Sequence, residues 1–197
     1  MKYLSARDRL SRMPPFFHIN DFLRVQGVSS PVARNMLSRL VDREMVVPLG
    51  GKSGIYFNVD RHPDAIDRWH RQAILRAYPS AIEIGPGPLR DEGWITQIPR
   101  QIEVAALHAA GRPRLHGARV YRRPRVWYRT MEEYWSRDGH NHDIPRLTPA
   151  AALADMWVYQ DGWVPDEEDL YLDESDETEV EQIMERLSRA IRLKKAA

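Results

Sequence analysis

The 197-residue chain contains no cysteine. That excludes a disulfide framework, thiolate metal centres and thiol nucleophiles, and it fits a reducing compartment, so a cytoplasmic location is expected. Long apolar runs are also absent, and no segment is expected to span a bilayer. The first residues read MKYLSARDRLSRMPPFF, with Arg7, Asp8, Arg9 and Arg12 interrupting any apolar stretch of a secretory signal. No repeat at solenoid periods occurs, and low complexity is confined to the acidic stretch near residues 166–181. The chain has no GxSxG, HExxH or P-loop phrase. Gly85-Pro86-Gly87-Pro88 is Gly-rich, but its prolines lack the N–H groups that a phosphate cradle needs. No active site, cofactor or metal is therefore expected.

Hydrophobic residues make up 43 % of the chain, enough for a packed core and too many for a wholly disordered polymer. The net charge of +1 conceals an asymmetry. Residues 1–60 hold nine Lys/Arg against five Asp/Glu, and residues 61–129 hold thirteen against six. Residues 130–160 hold two against five, and residues 161–197 hold five against twelve. The first two thirds suit an anionic polymer and the tail does not. Of the 29 basic residues 25 are Arg, whose planar fork matches phosphate bidentately.

Three domains follow from the patterning: residues 1–60, 61–160 and an acidic segment with a terminal helix at 161–197. In the first, a helix is expected over Ser5–Met13, capped by Ser5 with Asp8 at the third position and ended by Pro14-Pro15. A second helix opens near Asn20 and stops at Gly27. Ser30 then reads as an N-cap with Pro31 at the first helical position. The helix that follows carries Ala33, Met36, Leu37, Leu40 and Val41 as one apolar stripe, with Arg34, Asn35, Ser38 and Asp42 opposite. Met45–Leu49 and Ile55–Val59 read as strands joined by a Gly-rich turn around Lys52. Helix, helix, Gly turn, helix and hairpin form the order of a winged helix-turn-helix.

The second domain is expected to be mixed α+β with a small antiparallel sheet. Its elements are a helix over Ala65–Tyr78, a loop at Ile84–Pro88 and one helical turn at Leu89–Gly93. Strand-like runs follow at Trp94–Ile95, Ile98–Leu107, Leu115–Tyr121 and Val126–Arg129, and then a helix capped by Thr148-Pro149. The acidic stretch from Asp166 to Asp176 reads as loop. A final helix from about Thr178 carries Val180, Ile183, Met184, Leu187 and Ile191 on one stripe.

The candidate site residues fall in two groups. Ser29, Ser30, Arg34, Asn35, Ser38 and Arg39 lie on or before the third helix. There Arg matches guanine, Asn matches adenine, and hydroxyls with N-terminal N–H groups suit phosphate. Lys52, at the tip of the hairpin, would reach backbone phosphates. The second group contains Arg112, Arg114, Arg119, Arg122, Arg123, Arg125 and Arg129, with Arg119, Arg122, Arg123 and Arg125 as the candidate contacts, among the interleaved aromatics Tyr121, Trp127 and Tyr128, as on platforms where bases stack and phosphates pair. Neighbours on a strand point to opposite faces, so these arginines cannot all share one surface. The same arginines suit an acidic protein face or the acidic tail of this chain. His140-Asn141-His142-Asp143 offers at most three metal ligands within four residues and reads as a solvated loop.

The segment HINDFLRVQGVSSPVARNMLSRLVDREMVVPLGGKSGIYF resembles the N-terminal winged helix of AbiEi-type antitoxins of type IV (abortive-infection) bacterial toxin–antitoxin systems. The phrases that carry the likeness are Leu37-Ser38-Arg39-Leu40 and Gly54-Ile55-Tyr56. LTPAAALADMW at 147–157 is similar to the family's TPxxALxD phrase, and WITQIPRQIEVA at 94–105 resembles its strand entering the C-terminal domain. The likeness covers about residues 15–160. It implies a protein that represses its own operon by binding inverted repeats in promoter DNA, and that neutralises a nucleotidyltransferase-like toxin without needing a stable complex with it. The implied base-contacting positions lie on the helix after Ser30. Two alternatives remain: a protein-interaction module on a winged-helix scaffold, with the acidic tail holding a partner, and a nucleic-acid enzyme using His140, His142 and Asp143.

Overall fold

A computed structural model describes residues 5–51, 53–109, 114–136 and 144–196. The protein is α+β and divides into two compact units. One comprises Met1–Ala77 with Arg114–His116, and the other Tyr78–Pro113 with Gly117–Ala197. Among the described residues no helix is long and apolar enough to cross a membrane.

The first unit opens with α1 (Ala6–Leu10). Ser5 and Asp8 form a reciprocal capping box, each side chain bonding the other's backbone N–H, as the spacing predicts. The helix stops three residues before the expected Met13. The fully buried Asn58 donates to the carbonyls of Leu10 and Met13 at 3.1 and 3.2 Å, satisfying groups that the helix end leaves open. After Pro15 comes a strand that the periodicity does not reveal, β1 (Phe16–His18). Then follow α2 (Ile19–Gln26), α3 (Ser30–Asp42), β2 (Val47–Pro48) and β3 (Ile55–Phe57). The three strands form an antiparallel sheet in the order β1-β3-β2.

Between α2 and α3 the chain turns at Gly27, whose φ of +62° is left-handed and whose N–H returns to Leu23 O at 2.9 Å. Ser29, rather than Ser30, is the N-cap of α3, so Pro31 stands one place deeper than expected, still within the first turn where its missing N–H costs nothing. The expected stripe faces inward: Ala33, Leu37 and Leu40 are buried with Leu10, Phe17, Phe22 and Val46. Met36 and Val41 are half-buried at its edge. This unit also takes in α4 (Ala65–Ala77), which the patterning assigns to the second domain, and the short β6 (Arg114–Leu115), where Leu115 bridges Gly50.

The second unit is built from β4 (Ile82–Ile84), α5 (Pro86–Glu92), β5 (Ile102–Ala106), β7 (Ala118–Arg122), α6 (Arg125–Met131), β8 (Trp135–Ser136), β9 (Arg146–Leu147), α7 (Pro149–Tyr159) and α8 (Glu174–Ala196). Its five described strands lie in the order β7-β5-β4-β9-β8. The sheet is mixed, not antiparallel as expected: β5 with β7 and β4 with β9 run parallel, while β4 with β5 and β8 with β9 run antiparallel. α5 and α6 lie in the long connection between the parallel β4 and β9, whereas the connection between the parallel β5 and β7 carries no helix among its described residues.

Several local expectations fail, among them the strand-like reading of Trp94–Ile95 and of residues 98–101, which carry no strand. Pro86-Gly87-Pro88 opens α5 instead of forming a loop, because prolines fit the first turn of a helix. Val126–Arg129 lies in α6, not in a strand; Pro124 is its N-cap, and its inward spacing puts Trp127, Thr130 and Met131 in the core. α7 is buried from Ala150 to Met156, as an apolar and small-residue helix must be. Its N-cap Thr148 accepts from Ala151 N–H at 3.3 Å, as the Thr-Pro phrase predicts. α8 begins at Glu174 rather than near Thr178, because the Asp173 carboxylate caps it by accepting from the N–H groups of Ser175 and Asp176. Val180, Ile183 and Leu187 of α8 enter the same core as α7.

Candidate nucleic-acid interface

The polar side of α3 follows from its helical period. With Ala33, Leu37 and Leu40 turned inward, Arg34 and Ser38 form one i,i+4 row and Asn35 and Arg39 the next. All four are exposed, as are Ser29 and Ser30. Among the described residues none of the six side chains has a hydrogen bond or ion pair, and the Ser29 hydroxyl makes no cap bond. Asn35 and Arg39 border a shallow groove with Arg9, Arg43 and the exposed Val32. This face presents free guanidinium, amide and hydroxyl groups side by side. Lys52 lies outside the described residues, as do His140, His142 and Asp143.

The second arginine group does not form one surface. β7 alternates, so its arginines diverge. Arg119 is half-buried and donates to the Tyr121 hydroxyl oxygen at 3.3 Å. Arg122 and Arg125 are exposed. Arg123 departs from the expectation. It is only 1 % exposed and cannot reach a nucleic acid. Its guanidinium makes a bidentate bond to Asp155, 3.0 and 2.8 Å, and a second pair to Asp161, 2.8 and 3.1 Å. It also lies 3.7 Å from the centroid of the Tyr159 ring. Asp155, itself 1 % exposed, receives a further bond from the Trp127 indole N–H at 2.6 Å. Burial alone would lower the Arg123 pKa, but the two carboxylates overturn that and hold it above its usual value. The arginine that the sequence offers to phosphate is thus neutralised inside the second unit by its own acidic residues.

That unit also gathers groups which no sequence motif marks. The parallel register sets Glu103 of β5 opposite Arg119 of β7, with Tyr121 next on the same face. Glu103 is buried, and the Tyr121 hydroxyl donates to it at 3.3 Å. Gly85, at φ +75°, leaves space for this carboxylate: a Cβ there would lie 2.7 Å from Glu103 Oε2. Burial pushes the Glu103 carboxyl up, against the Tyr121 hydrogen bond and the Arg119 charge. The signal in the sequence is a single acid within the apolar run Ile102–Ala106. Glu83 and Asp91 both bind Arg146, at 3.3 and 2.6 Å. Compared with known proteins, the chain matches no family model and no curated sequence.

Proposed function

We propose that this chain is a DNA-binding, autoregulating antitoxin of a type IV bacterial toxin–antitoxin system, acting in the cytoplasm. In this reading the first unit is a winged helix-turn-helix that binds inverted repeats in promoter DNA, and the protein neutralises a nucleotidyltransferase-like toxin. The solvent face of α3 carries the proposal: Arg34, Asn35, Ser38 and Arg39 are exposed, adjacent and free of partners among the described residues. The order α1, β1, α2, α3, β2, β3 supports it, since it sets a helix after a Gly turn and before a hairpin. Arg34 and Asn35 would meet base edges in the major groove, Ser29 and Ser30 would bind phosphate at the N-terminus of the helix, and Lys52 would touch the backbone. Arg122 and Arg125 would add phosphate contacts.

The test is a binding titration on the DNA upstream of the gene, with a scrambled duplex as control, at several salt concentrations. The proposal expects tighter binding to the upstream DNA by ~10³-fold or more, with a salt slope that counts the phosphates engaged. Equal weak binding to both duplexes overturns it.

One observation favours a protein-interaction module instead. Trp157, Leu170, Leu172 and Met184 floor a groove bordered by Glu167, Glu177 and Glu181, which suits a basic partner. Removing the chain after Gln160 would strip Val180, Ile183 and Leu187 from the core, so charge reversal of Glu177 and Glu181 is the sound test. Loss of toxin protection with DNA binding intact would favour this second reading.

A further inference from the structure

Glu103 is placed against the ordinary rule for buried carboxyls. It is 8 % exposed, yet among the described residues it has no ion pair, and its one hydrogen bond comes from a phenol. Asp155, in the same unit, shows the usual solution, a bidentate arginine. A buried carboxylate without a cation or several donors is expensive. Glu103 also lies where three depressions meet. The largest, of ≈ 460 Å³, is walled by Pro86, Pro99, Ile98 and Trp163, with Arg119 beside the carboxyl. That size suits a small-molecule site. Ile98 is 74 % exposed and Trp163 is 40 % exposed, large apolar surfaces that nothing in the fold covers among the described residues. The adjoining depression shares Glu103 and Arg100 and adds Arg90; its other charged residues, Glu83, Asp91 and Arg146, are joined by the two ion pairs of Arg146. Arg90 and Arg100 are exposed and have no carboxylate partner among the described residues.

We propose that this cleft binds a guanine nucleotide, with the base against Trp163, its N1–H and N2–H edge on the Glu103 carboxylate, and its phosphate on Arg90 and Arg100. The carboxylate accepts only, so it requires a ligand edge with two donors side by side. Guanine has one; the Watson–Crick edge of adenine pairs a donor with an acceptor. An arginine side chain also offers two donors, but Arg90, Arg100 and Arg119 repel a cation and attract an anionic tail. The flat indole and proline walls suit a stacked ring, and stacking on aromatics is a common means of holding an unpaired base. The proposal stands on the second unit alone and is independent of duplex binding by α3.

The test is calorimetric titration of the full chain with GMP, AMP, guanosine and a short oligothymidylate carrying one guanine. GMP should bind about tenfold or more tighter than AMP, and more tightly than guanosine, which lacks the phosphate. Glu103→Gln should weaken GMP about tenfold while leaving AMP little changed. Arg100→Ala, at an exposed position that does not endanger folding, should weaken GMP and reduce its preference over guanosine, Arg90 retaining part of it. If the oligonucleotide binds more tightly than GMP, the natural source is a single strand; if GMP binds as well or better, it is the free nucleotide. Equal affinity for GMP and AMP, no binding of GMP, or wild-type GMP affinity in Arg100→Ala overturns the proposal.

Discussion

Two arginine-rich regions of the same chain have opposite fates. On α3, Arg34 and Arg39 stand in solvent with no partner among the described residues. At the end of β7, Arg123 is enclosed by Asp155, Asp161 and the Tyr159 ring. Charge counting treats both as basic surface. What separates them is how firmly the local period assigns a face. Along α3, five apolar residues define the stripe, so the opposite side is determined before any tertiary contact is known. Around Arg122–Arg125, a strand gives way to a helix at Pro124 and the period changes within four residues. The partners of Arg123 lie 32 and 38 residues further along, on and just after α7. A basic sequence is therefore a basic surface only where the periodicity also points it outward.

Arg123→Ala should separate the two arginine regions most clearly. It would leave Asp155 buried without its cation, which typically costs about 3–5 kcal/mol. Urea unfolding should show that loss, and the second unit should be the part that fails. Unchanged stability with weaker binding to all DNA would mean that Arg123 belongs with the exposed arginines after all. Next in size is Arg34→Ala. It should weaken binding to the upstream DNA by about 1–3 kcal/mol and relax sequence preference. Stability should stay within about 0.5 kcal/mol, since the residue is exposed and unpaired. Equal loss on specific and scrambled duplexes would sink its base-reading role. Arg122→Ala and Arg125→Ala should have smaller effects, equal on every duplex, each lowering the salt slope by about 1 if it meets a phosphate. No change in that slope would confine DNA contact to the first unit.

The same contrast explains what can be read from the sequence. The Ser5 capping box, the Gly27 turn, the α3 stripe and the Thr148 cap rest on neighbours within a few residues, and all are legible. β1 is not: Phe16–His18 is three residues long and exists through pairing with Ile55–Phe57. α5 is hidden by prolines that usually mark loops, and α6 by Val126, Trp127 and Tyr128, residues that favour strands. The parallel pairings depend on strands brought together from distant parts of the chain, which no local period records. In the candidate site, the α3 face is visible and the Arg123–Asp155–Asp161 cluster is not, for the same reason. Glu103 gives only a faint signal, one acid among apolar neighbours.

Glu103 is the converse of Arg123: a buried carboxyl without a buried cation bonded to it. The charged and titratable groups around it are Tyr121, Arg119, Asp161 and Arg123. Burial raises its pKa above the ordinary carboxyl value of 4.5, and the Tyr121 hydrogen bond and the Arg119 charge oppose the rise. The folded protein then keeps a proton on Glu103 at pH values where the unfolded chain has released it. Its contribution to stability is complete below the unfolded value and is lost as pH rises through the folded one. Glu103→Gln removes that dependence, because the amide does not ionise. The effect on stability should be smaller than that of Arg123→Ala, since the phenol and the nearby guanidinium already offset part of the burial cost. Urea midpoints of the two proteins, measured from about pH 4 to pH 8, should show the variant gaining on the wild type as pH rises through this window and then holding a constant lead. If the variant instead falls behind as pH rises, the carboxylate is stabilised in the fold, and Glu103 would belong with Asp155 as an anion already satisfied from within.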